Sequence, residues 1–100
     1  MSRYTSVKNK LKEHKALLLE KFGIQRIGIF GSVAIQKDSE TSDIDLLYTL
    51  TENKKIGFIE LDELENFICT LLNYQKVDLV NEARLNPLFK KEVLENTEYV

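Results

Sequence analysis

Three aspartates, Asp43, Asp45 and Asp78, interrupt stretches that otherwise read as strands. Aspartate is unfavourable in a strand and costly to bury without a partner, so each position needs a chemical reason. Asp43 and Asp45 stand two apart, a spacing that puts both carboxylates on one face of a strand about 6.6 Å from each other. Magnesium takes oxygen ligands at about 2.1 Å and fills the rest of its shell from water and substrate phosphates. Two such ions about 3.5–4 Å apart can share a carboxylate pair, as two-metal phosphoryl transfer requires. Asp78, between Val77 and Leu79, adds a third carboxylate to the same face if its strand neighbours the first. Upstream, Gly31 lets a ligand come close to the backbone, and Ser32 opens a short helix whose free N–H groups favour phosphate. A triphosphate can then lie with one end on the helix start and the other on the metals.

Taken singly these pieces are common, since a Gly-Ser pair is usually a turn and Asp-x-Asp is more often solvated than metal-binding. The order Gly-Ser, ten residues, Asp-x-Asp is another matter. It arises by chance roughly once in several hundred chains of this length when each residue type is about 5–7% of usage.

The elements that must position these residues follow from periodicity. From Ser2 to Phe22, Val7, Leu11, Leu18 and Phe22 recur at helical spacing opposite a lysine-rich side, and Gly23 is placed to end that helix. Arg26 to Phe30 is a short isoleucine-rich strand that stops at Gly31. Ser32 caps a short helix through about Gln36, Lys37 to Ser42 forms a loop, and Asp43 to Leu50 returns to strand. In that strand Ile44, Leu46 and Tyr48 share one face while the aspartates take the other. Gly57 to Leu72 carries a second long helix marked by Ile59 or Leu61, Leu64, Phe67 or Ile68, and Leu71 or Leu72, and Lys76 to Val80 a third strand. Asn86 and Pro87, a cap followed by a first-turn proline, start a last helix towards Glu95. The expected architecture is a single α/β (α+β) domain spanning residues 1–100, a small mixed sheet flanked by helices.

Composition narrows the partners. The 14 basic and 16 acidic residues are mixed along the chain for a net charge of -2, so no broad cationic surface for nucleic acid is expected. Cys69 is the one cysteine and cannot close an internal disulfide, and no signal peptide or apolar run of about 20 residues occurs. These features suit a reduced, cytoplasmic protein without a membrane role. The sequence has neither G-x-x-x-x-G-K-[ST] nor G-x-G-x-x-G, and with one His and one Cys a zinc site or Cys-His pair is not expected. His14 and the pair Lys54 and Lys55 read as solvated, and Cys69 as core filler. Arg26, opening a strand near the Gly-Ser turn, reads as structural, with a phosphate contact as its alternative.

The stretch GIFGSVAIQKDSETSDIDLL resembles the signature of the polymerase β nucleotidyltransferase superfamily, and most closely that of its minimal nucleotidyltransferases, the MNT proteins. KVDLV is similar to the family's strand bearing a third acidic residue, and LNPLFKKEVLEN to its closing helix. The resemblance covers nearly the whole chain and implies a polymerase-β-like fold. It implies that Gly31 and Ser32 hold the triphosphate of ATP. It further implies that Asp43, Asp45 and Asp78 are the catalytic residues and hold two Mg2+ ions. The implied reaction moves AMP to a hydroxyl of a partner protein. The implied partner is a HEPN-domain toxin, which the transferase neutralises as its antitoxin by adenylylating a tyrosine within a hetero-oligomer. One departure stands out: many members carry Ala-Arg-Gly where this chain has Ala34, Ile35 and Gln36. It favours the alternative, a nucleotide-binding antitoxin or regulator that acts by contact without catalysis.

Overall fold

The computed structural model describes residues 3–30, 44–74 and 76–100. The expected single N-terminal helix is two, α1 (Arg3–Glu13) and α2 (Lys15–Phe22), with His14 between them. There the backbone leaves helical geometry (φ -109°, ψ 12°), and the His14 N–H bonds three residues back, to the Leu11 carbonyl at 3.2 Å. The ring Nδ1 donates to the Lys10 carbonyl at 2.9 Å, satisfying one of the acceptors the break leaves free. The apolar spacing survives the break, and Val7, Leu11, Leu18 and Phe22 are all buried. Gly23 ends α2 at φ +73°, donating its N–H to Leu18 and Leu19, a left-handed cap that a side chain would strain.

Strand β1 (Ile24–Phe30) begins two residues earlier than its sequence pattern suggests. Strand β2 (Ile44–Leu50) buries Ile44, Leu46 and Tyr48, as alternation requires. Helix α3 (Phe58–Leu72) buries Leu64, Ile68 and Leu72 at four-residue spacing and ends on Asn73 in the left-handed region. Ile59 does not join that stripe. It lies five residues before Leu64, about 140° round the helix, and is 78% exposed. Next come β3 (Val77–Asn81), a 3-10 turn (Glu82–Arg84), α4 (Pro87–Glu95) and a two-residue β4 (Glu98–Tyr99). Asn86 caps α4 by accepting the Leu88 N–H at 2.9 Å, with Pro87 in the first turn.

Among the described residues the four strands form one sheet in the order β3-β2-β1-β4. β1 pairs antiparallel with β2 and with β4, and β2 pairs parallel with β3 through the α3 crossover. Side chains from α1, α2 and α3 form one apolar cluster with Ile24, Ile27, Ile29, Ile44, Leu46, Tyr48 and Val77 of the sheet. Within it the rings of Phe22 and Phe67 lie 5.6 Å apart. Cys69 is half-buried against this core, which raises its thiol pKa, as suits core filler. Among the described residues, no helix is long and apolar enough to cross a membrane.

Candidate active site

With one face of the sheet committed to the helices, alternation sends the intervening side chains to the other. Register aligns Phe30, Gly28 and Arg26 of β1 with Asp45, Leu47 and Thr49 of β2, and Asp78 and Val80 of β3 with Asp45 and Leu47. Asp45 and Asp78 are therefore direct partners across the parallel β2–β3 ladder, on the same face of strands about 4.8 Å apart. Both are half-buried. Phe30, the last residue of β1, sits opposite Asp45.

Among the sequence-predicted residues, the fold thus brings Asp45 and Asp78 together. Asp43, Gly31 and Ser32 lie outside the described residues, as do the expected short helix to Gln36 and the loop to Ser42. No group of three or more His, Cys, Asp or Glu that could hold a metal occurs among the described residues. The two carboxylates nonetheless suit a hard cation, because they offer only oxygen donors. Like charges directly opposite in a sheet are destabilising, and a cation between them would offset that cost.

Further along the same face the sheet is covered by the chain itself. A Cβ on Gly28 would lie 2.7 Å from Thr97 Cγ2, 3.0 Å from the Glu98 carbonyl and 3.0 Å from Tyr99 Cδ1, so β4 and the residue before it press directly on β1. The Arg26 guanidinium stacks 3.8 Å from the centre of the Tyr99 ring, and the Tyr99 hydroxyl donates to Glu82 Oε2 at 3.0 Å. Tyr99 thus ties the β4 edge to the turn after β3, and Leu47, next to Gly28 in register, is fully buried. Burial first, and then the Glu82 carboxylate, hold the Tyr99 phenol above its ordinary pKa.

Arg26 is accordingly occupied by Tyr99, and it sits four residues before Phe30, about 13 Å down the strand from the Gly31 end. The phosphate contact considered for it is not what its position supports. Lys54 pairs with Glu60 at 3.2 Å, as its solvated reading allows. His14 is half-buried and helps line a groove of about 620 Å3 between α2 and α3, on the side away from the acids. Tyr99 and Glu82 were not legible from spacing, but Gly28 was a signal, since glycine inside an isoleucine-rich strand often marks close backbone approach.

Among the described residues, a three-helix layer lies on a four-stranded mixed sheet with paired acids on the opposite face beside the end of β1, the arrangement expected of a nucleotidyltransferase-type domain. The chain belongs to the family described as polymerase beta, nucleotidyltransferase, whose model matches residues 9–100. A Methanocaldococcus jannaschii protein provisionally named protein adenylyltransferase MJ1217 is 40% identical over 101 residues, covering 100% of both chains. A solved structure provisionally described as a minimal nucleotidyltransferase superposes with TM-score 0.76 at 30% identity, over 98% of this chain and 95% of that one. The fold is shared with the MNT antitoxin solved with a tri-AMPylated Shewanella oneidensis HEPN toxin, at TM-score 0.62 and 22% identity over 94% and 70% of the two chains.

Proposed function

We propose that this domain transfers AMP from ATP to a hydroxyl of a partner protein, with release of pyrophosphate. The observation that carries the reading is the placement of Asp45 directly opposite Asp78 on the sheet face away from the helices. In this reading Asp43, Asp45 and Asp78 would hold two Mg2+ ions, and Gly31 with Ser32 would hold the triphosphate. Bound metal supplies Lewis-acid stabilisation of the attacking and leaving oxygens. The chain's own part is to hold Asp45 and Asp78 opposite each other on two neighbouring strands. In this reading Asp78 would also help to hold the first ion or accept the proton of the attacking hydroxyl. The name of the M. jannaschii relative supports a protein as acceptor, and the S. oneidensis complex supports a HEPN-domain partner in a hetero-oligomeric toxin–antitoxin pair.

The test mixes the domain with the product of the adjacent reading frame, ATP and magnesium, and weighs both proteins. Transfer adds one AMP unit or more to the partner, and Asp45→Asn should nearly abolish the gain while leaving the complex intact. An intact complex with no added mass, across several nucleotides and with either magnesium or manganese, sinks the enzyme reading. It would leave the contact-only antitoxin, which the Ile35 and Gln36 departure favours.

A further inference from the structure

Strand β3 carries Asp78 and is an edge strand. Among the described residues its one ladder is the parallel pairing of Val77–Asn81 with Ile44–Tyr48 of β2. Asp45 and Asp78 face each other across that ladder, and like charges set directly opposite destabilise the pairing. β2 is held on both sides, by β1 and β3, so β3 is the strand that can yield.

The far end of β3 is tied down. Glu82 follows Asn81, the last residue of the strand, and stands four residues beyond Asp78, about 13 Å at strand spacing. Its Oε2 accepts the Tyr99 hydroxyl at 3.0 Å, and Tyr99 belongs to β4, the opposite edge of the sheet. One hydrogen bond thus links the two edges across the face that bears the acids. Gly28 leaves room for the ring, since a Cβ there would lie 3.0 Å from Tyr99 Cδ1. The Arg26 guanidinium, stacked 3.8 Å from the ring centre, fixes its direction. The backbone around Tyr99 is anchored on both sides, by the Thr97 hydroxyl on the Val93 carbonyl at 2.6 Å and by the Val100 N–H on the Ile27 carbonyl at 3.0 Å. Thr49, the register partner of Arg26, has its hydroxyl buried and without a partner among the described residues, so this end of the face is closed to water.

We propose that Tyr99 is a positioning residue for Asp78. Through Glu82 it fixes the end of β3, and so holds the Asp78 carboxylate at the separation from Asp45 that a divalent cation requires. The inference rests on the transferase reading, in which the acid pair holds metal.

The experiment titrates the whole chain with manganese alone, counting bound ion from the EPR signal of the free ion, at a temperature where circular dichroism shows every variant folded. The wild type should bind, and Asp45→Asn should abolish that binding. Tyr99→Phe keeps the ring on Arg26 but loses the hydroxyl, and should weaken binding about three- to tenfold. Glu82→Ala should weaken it equally, and the two changes together should do no more than either alone. Glu82→Gln keeps an oxygen that accepts the hydroxyl proton and should bind close to wild type. Val7→Ala, which loosens the buried helical layer instead, should also bind as wild type. Wild-type affinity in both Tyr99→Phe and Glu82→Ala overturns the proposal and leaves the transferase reading standing. So does an equal loss in Val7→Ala, which assigns the effect to general loosening, or in Glu82→Gln, which assigns it to the charge of Glu82. A wild type that binds no manganese, or binding that survives Asp45→Asn, overturns the proposal together with the metal site of the transferase reading.

Discussion

Gly28→Ala tests whether the chain's last residues are locked onto the sheet. Its backbone is not in the left-handed region, so alanine costs no conformational strain, and by restricting the unfolded chain it would by itself stabilise by about 0.4–1 kcal/mol. Against that stand three atoms within 3.0 Å of the new Cβ. Thr97 Cγ2, at 2.7 Å, belongs to a side chain whose hydroxyl is tied to the Val93 carbonyl at 2.6 Å. The Glu98 carbonyl is backbone, and Tyr99 is held between Arg26 and Glu82. None can retreat without breaking a contact, and overpacking of this kind costs about 1–3 kcal/mol. The net expectation is a loss of about 1–2 kcal/mol, or about 5–15 °C in Tm at the usual sensitivity of a domain this size. Urea unfolding and calorimetry measure it, and adding Thr97→Ala should restore part of the loss by removing the nearest atom. A Gly28→Ala protein as stable as wild type, or more so, would refute the account of β4 as tightly seated.

Leu64 is fully buried under the sheet, so Leu64→Ala should cost about 2–5 kcal/mol, read as a lower urea midpoint at unchanged slope. The Tyr48 and Tyr99 phenols are both held above their ordinary pKa, chiefly by burial, so the unfolded chain releases those protons first. Their contribution to stability is therefore complete below about pH 10 and is lost as pH rises through the folded values. Denaturant unfolding at a series of alkaline pH values should show that fall, and Tyr48→Phe with Tyr99→Phe should flatten it. An identical profile in that variant would assign the fall to other groups.

What was legible in the sequence was what repetition writes there. Val7, Leu11, Leu18 and Phe22 at helical spacing, and Ile44, Leu46 and Tyr48 at alternate positions, announced which faces would be buried. Asn86 followed by Pro87 announced the start of α4. The break at His14 was hidden because good helix formers flank it on both sides, and the decision is made by one residue's backbone. β4 was hidden because two residues are too few to show a period, and it pairs with β1 from far along the chain. For the candidate site, that Asp45 turns away from the core could be read from alternation alone. That Asp78 stands beside it could not, since strand order is a tertiary fact; there only the family resemblance pointed the right way.

The pairing of Asp45 with Asp78 has a consequence for how the domain ripens. The two residues belong to strands that meet only after the chain has passed through α3 and come back parallel. Neither the β1–β2 hairpin nor a collapsed chain lacking the crossover holds both acids at one address. The acid pair is thus assembled by a slow kind of contact, between segments distant in sequence. A ligand seated between the two strands would recognise only the finished core, and its affinity would report on the integrity of the whole domain.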